Sequence, residues 1–163
     1  ISLLSNTPAP EPTPTLTPIP TITPTPGPFA IPAECSGIAG LGAPIVGTNG
    51  SDNINGTSGN DLIFARNGAD RIDGKGGDDC IVAGGGADTV FGKNGDDVIL
   101  GGDGADTLNG ENGSDTIYGQ GGADTIRGGN QADTLNGGGA WDTARGENGT
   151  DTCVAESKNS CEL

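Results

Sequence analysis

The stretch Gly101–Gly128, GGDGADTLNGENGSDTIYGQGGADTIRG, decides the architecture. Asp returns at 106, 115 and 124, with a glycine two residues before each (Gly104, Gly113, Gly122) and an aliphatic residue two after (Leu108, Ile117, Ile126). Extended in both directions, this register divides residues 47–154 into twelve consecutive nonapeptides without insertion. Position six is Asp in all twelve: Asp52, Asp61, Asp70, Asp79, Asp88, Asp97, Asp106, Asp115, Asp124, Asp133, Asp142 and Asp151. Position eight is Ile, Leu or Val in the first ten repeats, then Ala144 and Cys153. Position one is Gly except at Ala65 and Ala83, and position four is Gly except at Gln131 and Ala140. Glycine at one and four is expected to give the positive φ of tight turns. Positions seven to nine place one inward side chain between two outward ones, as a short strand does.

The totals fit a thin solenoid better than a conventional globule. The chain has 163 residues, 32 of them Gly, with few aromatics and a formal charge of −15. Such a charge argues against nucleic acid or an anionic membrane, which need a basic footprint, and favours a cationic partner. The chain has no His, which excludes a His-based triad or a histidine zinc site. It has no Met either, so a processed product is expected. No apolar run is long enough for a membrane-spanning helix. Four Cys in a short chain suggest an oxidising compartment and two disulfides.

The repeat resembles the repeats-in-toxin, or haemolysin-type, calcium-binding family, whose motif is G-G-x-G-x-D-x-U-x with U aliphatic. The resemblance implies an all-β, right-handed parallel β-roll (a β-solenoid) with two nonapeptides per coil and about six coils. It places positions one to six in turns and seven to nine in strands. Asp52, Asp70, Asp88, Asp106, Asp124 and Asp142 would then line one side, and the other six Asp the opposite side. Stacked carboxylates repel one another, and a hard dication held by carboxylates and turn carbonyls removes the repulsion. Six turns per side leave five gaps, so about ten calcium ions at most are expected. Asn49, Asn67, Asn94, Asp103, Asn112, Asn130 and Asn148 stand at position three and either join the sites or hydrogen-bond the turns. A metal-free turn in which Asp merely caps the loop is the alternative. Gln131, Ala140 and Trp141 depart from the motif and put the sites near Asp133 and Asp142 in question. A core this thin predicts folding coupled to calcium.

Alternate repeats present different outer faces. The even repeats carry an apolar stripe of Leu62, Phe64, Val82, Val98, Leu100 and Tyr118, whereas the odd repeats are largely polar. A contiguous apolar patch suggests an interface. Residues 35–46 read as an N-terminal cap containing a degenerate repeat, with Ile45 inward, Ala43 in place of Asp and Val46 above Phe64. Residues 155–163 read as a C-terminal cap. Of three pairings open to Cys35, Cys80, Cys153 and Cys161, we favour Cys35–Cys80 and Cys153–Cys161; free thiols are the alternative. Residues 1–34 form a Pro/Thr-rich arm, expected to be extended. Every Pro from 8 to 28 is even-numbered, which strips donors from one edge of an extended strand. Leu16, Ile19 and Ile22 of this arm, with Phe29 and Ile31, are expected to cover the stripe on the same molecule or on a neighbouring copy. The alternative is an O-glycosylated linker.

These features suggest a secreted, non-catalytic, calcium-stabilised β-roll with an extracellular structural role. A filament or surface-layer subunit that lends its arm to the next copy is the favoured form. The alternatives are an adhesion or ligand-binding module, an ice-binding face on the Thr89, Thr107, Thr125 and Thr143 ladder, or the secretion or stabilising module of a larger secreted protein.

Overall fold

The computed structural model describes residues 30–154 and the backbone of 160–162. The arm residues Leu16, Ile19, Ile22 and Phe29 lie outside the described residues, as does the even-numbered proline pattern.

Two seven-stranded parallel sheets face each other. The even sheet contains β1 (Ile45–Val46), β3 (Leu62–Asn67), β5 (Cys80–Gly85), β7 (Val98–Asp103), β9 (Thr116–Gly121), β11 (Thr134–Asn136) and β13 (Thr152–Val154). The odd sheet contains β2 (Asn53–Asn55), β4 (Arg71–Asp73), β6 (Thr89–Asn94), β8 (Thr107–Asn112), β10 (Thr125–Asn130), β12 (Thr143–Asn148) and β14 (Ser160–Glu162). The chain alternates between the sheets, so each strand pairs with the strand one full coil away. Ile63 lies against Ile81, Ile81 against Ile99 and Ile99 against Ile117, always eighteen residues apart. The fold is therefore an all-β parallel β-solenoid of six coils, two nonapeptides to a coil. At the C-terminal end the step shortens to seventeen: Ser160 pairs with Thr143, and Cys161 with Ala144.

The core is one file of position-eight side chains. Ile63, Ile72, Ile81, Val90, Ile99, Leu108, Ile117, Ile126 and Leu135 are fully buried, closed at the ends by Ile54 and Ala144 and packed against Ile45 and Cys153. Each such residue removes its apolar surface from water against the coils above and below. Ile45 pairs with Ile63 and Val46 with Phe64, as the degenerate repeat predicts.

The strands are longer than the expected three residues. Most run for six, from position seven to position three of the next repeat, with position one skipped in the pairing. The reason lies in the backbone. Position two, as well as position four, is left-handed in ten repeats, for example Arg66 (φ 82) with Gly68 (φ 133). The left-handed residue turns the corner while N–H and C=O groups stay aligned with the solenoid axis. Gly68 N–H thus donates to the Gly85 carbonyl at 2.7 Å, and Arg71 N–H to the Asp52 carbonyl at 2.9 Å. Position one is not left-handed, contrary to expectation. At Gly101 glycine is favoured by space: a β-carbon there would lie 2.7 Å from Asp106 Oδ2, 2.8 Å from the Gly119 carbonyl and 3.1 Å from Leu108, whereas the repeats with Ala65 and Ala83 accommodate a buried methyl at this position.

The apolar stripe on the even sheet is not an open patch. Leu62, Cys80 and Leu100 are buried with Cys35 in a second apolar cluster, against which Ile38, Leu41, Phe64, Val82, Val98 and Tyr118 pack half-buried. The cover comes from residues 33–41, beginning with a 3-10 turn at Ala33–Cys35. It is fastened by the Cys35–Cys80 disulfide and by Asn60, whose side chain donates to the Ala39 carbonyl at 2.8 Å. The expected assembly face is thus largely closed by the chain itself, and Ile31, expected to help cover it, is 52% exposed. Cys153 is disulfide-bonded; the side chain of Cys161 lies outside the described residues. Trp141, which departs from the motif, is 71% exposed. On the odd sheet Thr89, Thr107, Thr125 and Thr143 stand in register.

Candidate metal centre

The position-six residues form two axial columns, and all but Asp52 and Asp151 are buried. Asp70, Asp79, Asp88, Asp97, Asp106, Asp115, Asp124, Asp133 and Asp142 are at most 3% exposed, and Asp61 is 6% exposed. Each carboxylate after the first in its column spends one oxygen on its own column. Asp97 N–H donates to Asp115 Oδ1 at 2.9 Å, and Asp106 N–H to Asp124 Oδ1 at 2.9 Å. The same bond runs from Asp52 to Asp70, Asp61 to Asp79, Asp70 to Asp88, Asp79 to Asp97 and Asp88 to Asp106. It continues from Asp115 to Asp133, Asp124 to Asp142 and Asp133 to Asp151.

The second oxygen is different. Oδ2 of Asp70, Asp79, Asp88, Asp97, Asp106, Asp115, Asp124 and Asp133 is buried without a hydrogen-bond partner. Those of Asp79, Asp97, Asp106, Asp115, Asp124 and Asp133 lie beside the position-one glycine of their own repeat; Asp70 and Asp88 have Ala65 and Ala83 at that position. The next coil's position-one carbonyl, such as that of Gly92, Gly119 or Gly137, enters the same space. Two oxygens, one anionic, converge there with no donor between them. That is a hard-cation donor set. Without a cation, burial makes the charge costly. Burial is the main reason that Asp97 is lifted to about 8, Asp79 and Asp115 to about 7, and Asp106 and Asp133 to about 6. Asp88 and Asp124 are raised for the same reason. Neighbouring carboxylates add to the rise, including the exposed Asp78 beside Asp79 and Asp97, and Asp96 beside Asp115. The backbone N–H bond works against it.

The departures at Gln131 and Ala140 do not disturb the turns that hold Asp133 and Asp142. Both residues adopt the left-handed conformation of the glycines they replace (φ 81 and 104). Asp133 keeps its buried, unpartnered Oδ2.

The position-three residues separate from the carboxylate columns. Asn148 Nδ2 donates to Asn130 Oδ1 at 3.1 Å, Asn130 to Asn112 at 2.8 Å and Asn112 to Asn94 at 3.3 Å, while Asn94 donates to the Lys75 carbonyl at 3.1 Å. Asn67 donates to Asn49 at 3.2 Å in the same manner. These amides form exposed ladders and take the turn-bonding role of the two expected. Asp103 stands in register with Gly85 and Gly121.

The first gap of each column holds a feature that the sequence reading missed. Asp52 Oδ2 accepts from Thr48 N–H at 2.7 Å and from the Thr48 hydroxyl at 3.0 Å. Asp61 Oδ2 accepts from Thr57 N–H at 2.6 Å and from its hydroxyl at 3.1 Å. The signal was present in the sequence, since Thr occupies position two only in these two repeats.

Columns of this kind on a parallel β-solenoid define a β-roll of the calcium-binding class. The RTX calcium-binding nonapeptide repeat model matches residues 46–80, 82–117 and 118–153. The chain belongs to that family. No curated protein matches the chain.

Proposed function

We propose that the chain is a secreted, non-catalytic calcium-binding β-roll with an extracellular structural role, folded by the ions it binds. One observation carries this reading: eight buried carboxylate oxygens, evenly spaced on two columns, have no partner within the protein. The residues that would hold the ions are Asp70, Asp88, Asp106 and Asp124 on the odd column and Asp79, Asp97, Asp115 and Asp133 on the even. The position-one carbonyls of the next coil join them. Bound calcium supplies the positive charge that lets these carboxylates stay ionised while buried. The protein's part is to hold oxygens at a fixed axial spacing.

Catalysis finds little support in this arrangement. The eight carboxylates from Asp70 to Asp133 each accept a neighbouring Asp N–H with Oδ1 and bury Oδ2, which leaves no exposed acid–base pair among them. Extracellular placement is supported by the disulfide chemistry, since Cys35–Cys80 is formed and Cys153 is also bridged. No helix among the described residues is long and apolar enough to cross a membrane. A filament in which the N-terminal arm docks on a neighbouring copy remains the favoured form of that structural role, with residues 33–41 already covering Leu62 and Leu100 of the even face.

The test is far-UV circular dichroism of the full chain at neutral pH with millimolar calcium and with excess chelator. Most of the strand signal is expected only with calcium; an unchanged spectrum and melting curve in chelator would sink the proposal.

A further inference from the structure

The first gap of each column differs from the later ones in sequence, backbone and hydrogen bonding together. From the third repeat to the twelfth, positions two and four are both left-handed, from Arg66 and Gly68 to Glu147 and Gly149. Thr48, Gly50, Thr57 and Gly59 are not left-handed. A β-branched residue resists that conformation, so threonine at position two sends the turn another way. In this alternative turn the position-two N–H and hydroxyl both point at the Asp Oδ2 that is unpartnered lower down each column. The glycine at position four closes the turn by donating to the same hydroxyl, at 3.2 Å from Gly50 and 3.1 Å from Gly59. The even column gains a positive charge of the chain's own. The Lys75 ammonium donates to the Gly56 carbonyl at 2.7 Å, the outermost position-one carbonyl on that side.

We infer that Thr48 and Thr57 fill the first gap of each column in the cation's stead, so that the chain holds eight cations and its first coil stays folded without them. Six turns per column leave five gaps, ten in all; two are closed by threonine, and eight contain an unpartnered Oδ2. The inference rests on the calcium reading above. It turns a uniform roll into one with a metal-independent end, next to the Cys35–Cys80 bridge and the apolar cover. The later coils would then form on that end as calcium arrives.

The test uses the full chain in two measurements. Native mass spectrometry across a calcium titration should saturate at eight ions. Hydrogen exchange in excess chelator should leave the β3 amides at least about tenfold slower than those of β9 and β10, because local stability differs along a chain. A Thr48→Gly/Thr57→Gly variant, free to adopt the left-handed turn, should bind ten ions and lose the β3 protection in chelator. Saturation of the unaltered chain at ten, or β3 amides exchanging as fast as β10 in chelator, overturns the inference. So does a variant that still saturates at eight. A chain that binds no calcium at any concentration overturns the calcium reading itself, and is distinguished from these results by its ion count of zero.

Discussion

Two polar ladders climb this roll at the same axial step, and they solve the same problem differently. The asparagines at 94, 112, 130 and 148 are exposed, and each of the lower three gives its amide N–H to the carbonyl oxygen of the one above. Eight of the aspartates, from Asp70 to Asp133, are buried, and each accepts one backbone N–H with one oxygen while the other is left over. An amide carries donors and an acceptor, so a stack of them is self-sufficient. An ionised carboxylate only accepts, so a stack of them needs a proton or a metal from outside. The difference between CONH2 and COO− thus separates the part of the turn that merely holds shape from the part that makes shape depend on an ion.

The largest effect expected from this comparison follows chelation at neutral pH. A site filled at a hundredfold its dissociation constant contributes about 2.7 kcal/mol to folding, and several sites act on one cooperative stack. Chelator should abolish most of the strand signal yet leave Asn-ladder variants no more sensitive than the parent; dichroism melts measure both.

Next in size is the pH dependence of the metal-free chain. Burial lifts five folded carboxyls from their ordinary value of 3.8 to about 6 (Asp106 and Asp133), about 7 (Asp79 and Asp115) and about 8 (Asp97). Between those limits the folded state binds more protons than the unfolded state, so stability must fall as pH rises. Metal-free chain should be most resistant to urea near pH 4 and lose that resistance progressively to pH 8. With calcium present the sign reverses, since protons and calcium compete for the same oxygens. A metal-free urea midpoint that rises with pH would contradict the account.

A single substitution converts one ladder towards the other. Asp115→Asn should keep the Oδ1 bond to Asp97 N–H and place an amide donor near the Gly128 carbonyl. The variant is expected to bind one ion fewer. Its metal-free form should gain about 1–2 kcal/mol, the cost of an unsatisfied buried polar atom. Calorimetric ion counting and urea titration in chelator report the two halves separately; a gain in neither would break the contrast. The smallest change is Asn130→Ala, which removes the bonds to Asn112 and Asn148. It should cost about 1 kcal/mol with the calcium count untouched, both measurable in the same titrations.

The periodic part of this molecule was legible in its sequence because every coil imposes the same constraint on its neighbours. The inward file from Ile54 to Leu135, the two Asp columns and Val46 above Phe64 all follow from counting in nines and eighteens, and the Cys35–Cys80 bridge is the pairing favoured among three by the place of Cys80 on the even outer face. What escaped was chemistry that counting cannot see. Position-one glycines look like turn residues, but they are small because Asp Oδ2 and a carbonyl lie against them. Arg66, Lys75, Lys93, Glu111, Gln120 and Glu147 give no hint in their side chains of the left-handed backbone they occupy. The apolar stripe announced that it needed a cover. Which segment would reach it depended on the aperiodic path of residues 33–41, on which the repeat has no bearing. Thr48 and Thr57 looked like ordinary variation at a variable position.

The alternation of sheets has a consequence for how such a chain can lengthen. Adding eighteen residues inserts a whole coil and leaves everything downstream on its own face. Adding nine keeps each Asp on a column and each aliphatic residue inward, so no local test of the motif would object. It would nevertheless turn the remainder of the roll by half a revolution. Tyr118 would leave the sheet it shares with Leu100 and join the one that carries Arg71 and Phe91. The heritable unit of this architecture is therefore the pair of repeats. The single repeat is only its unit of chemistry.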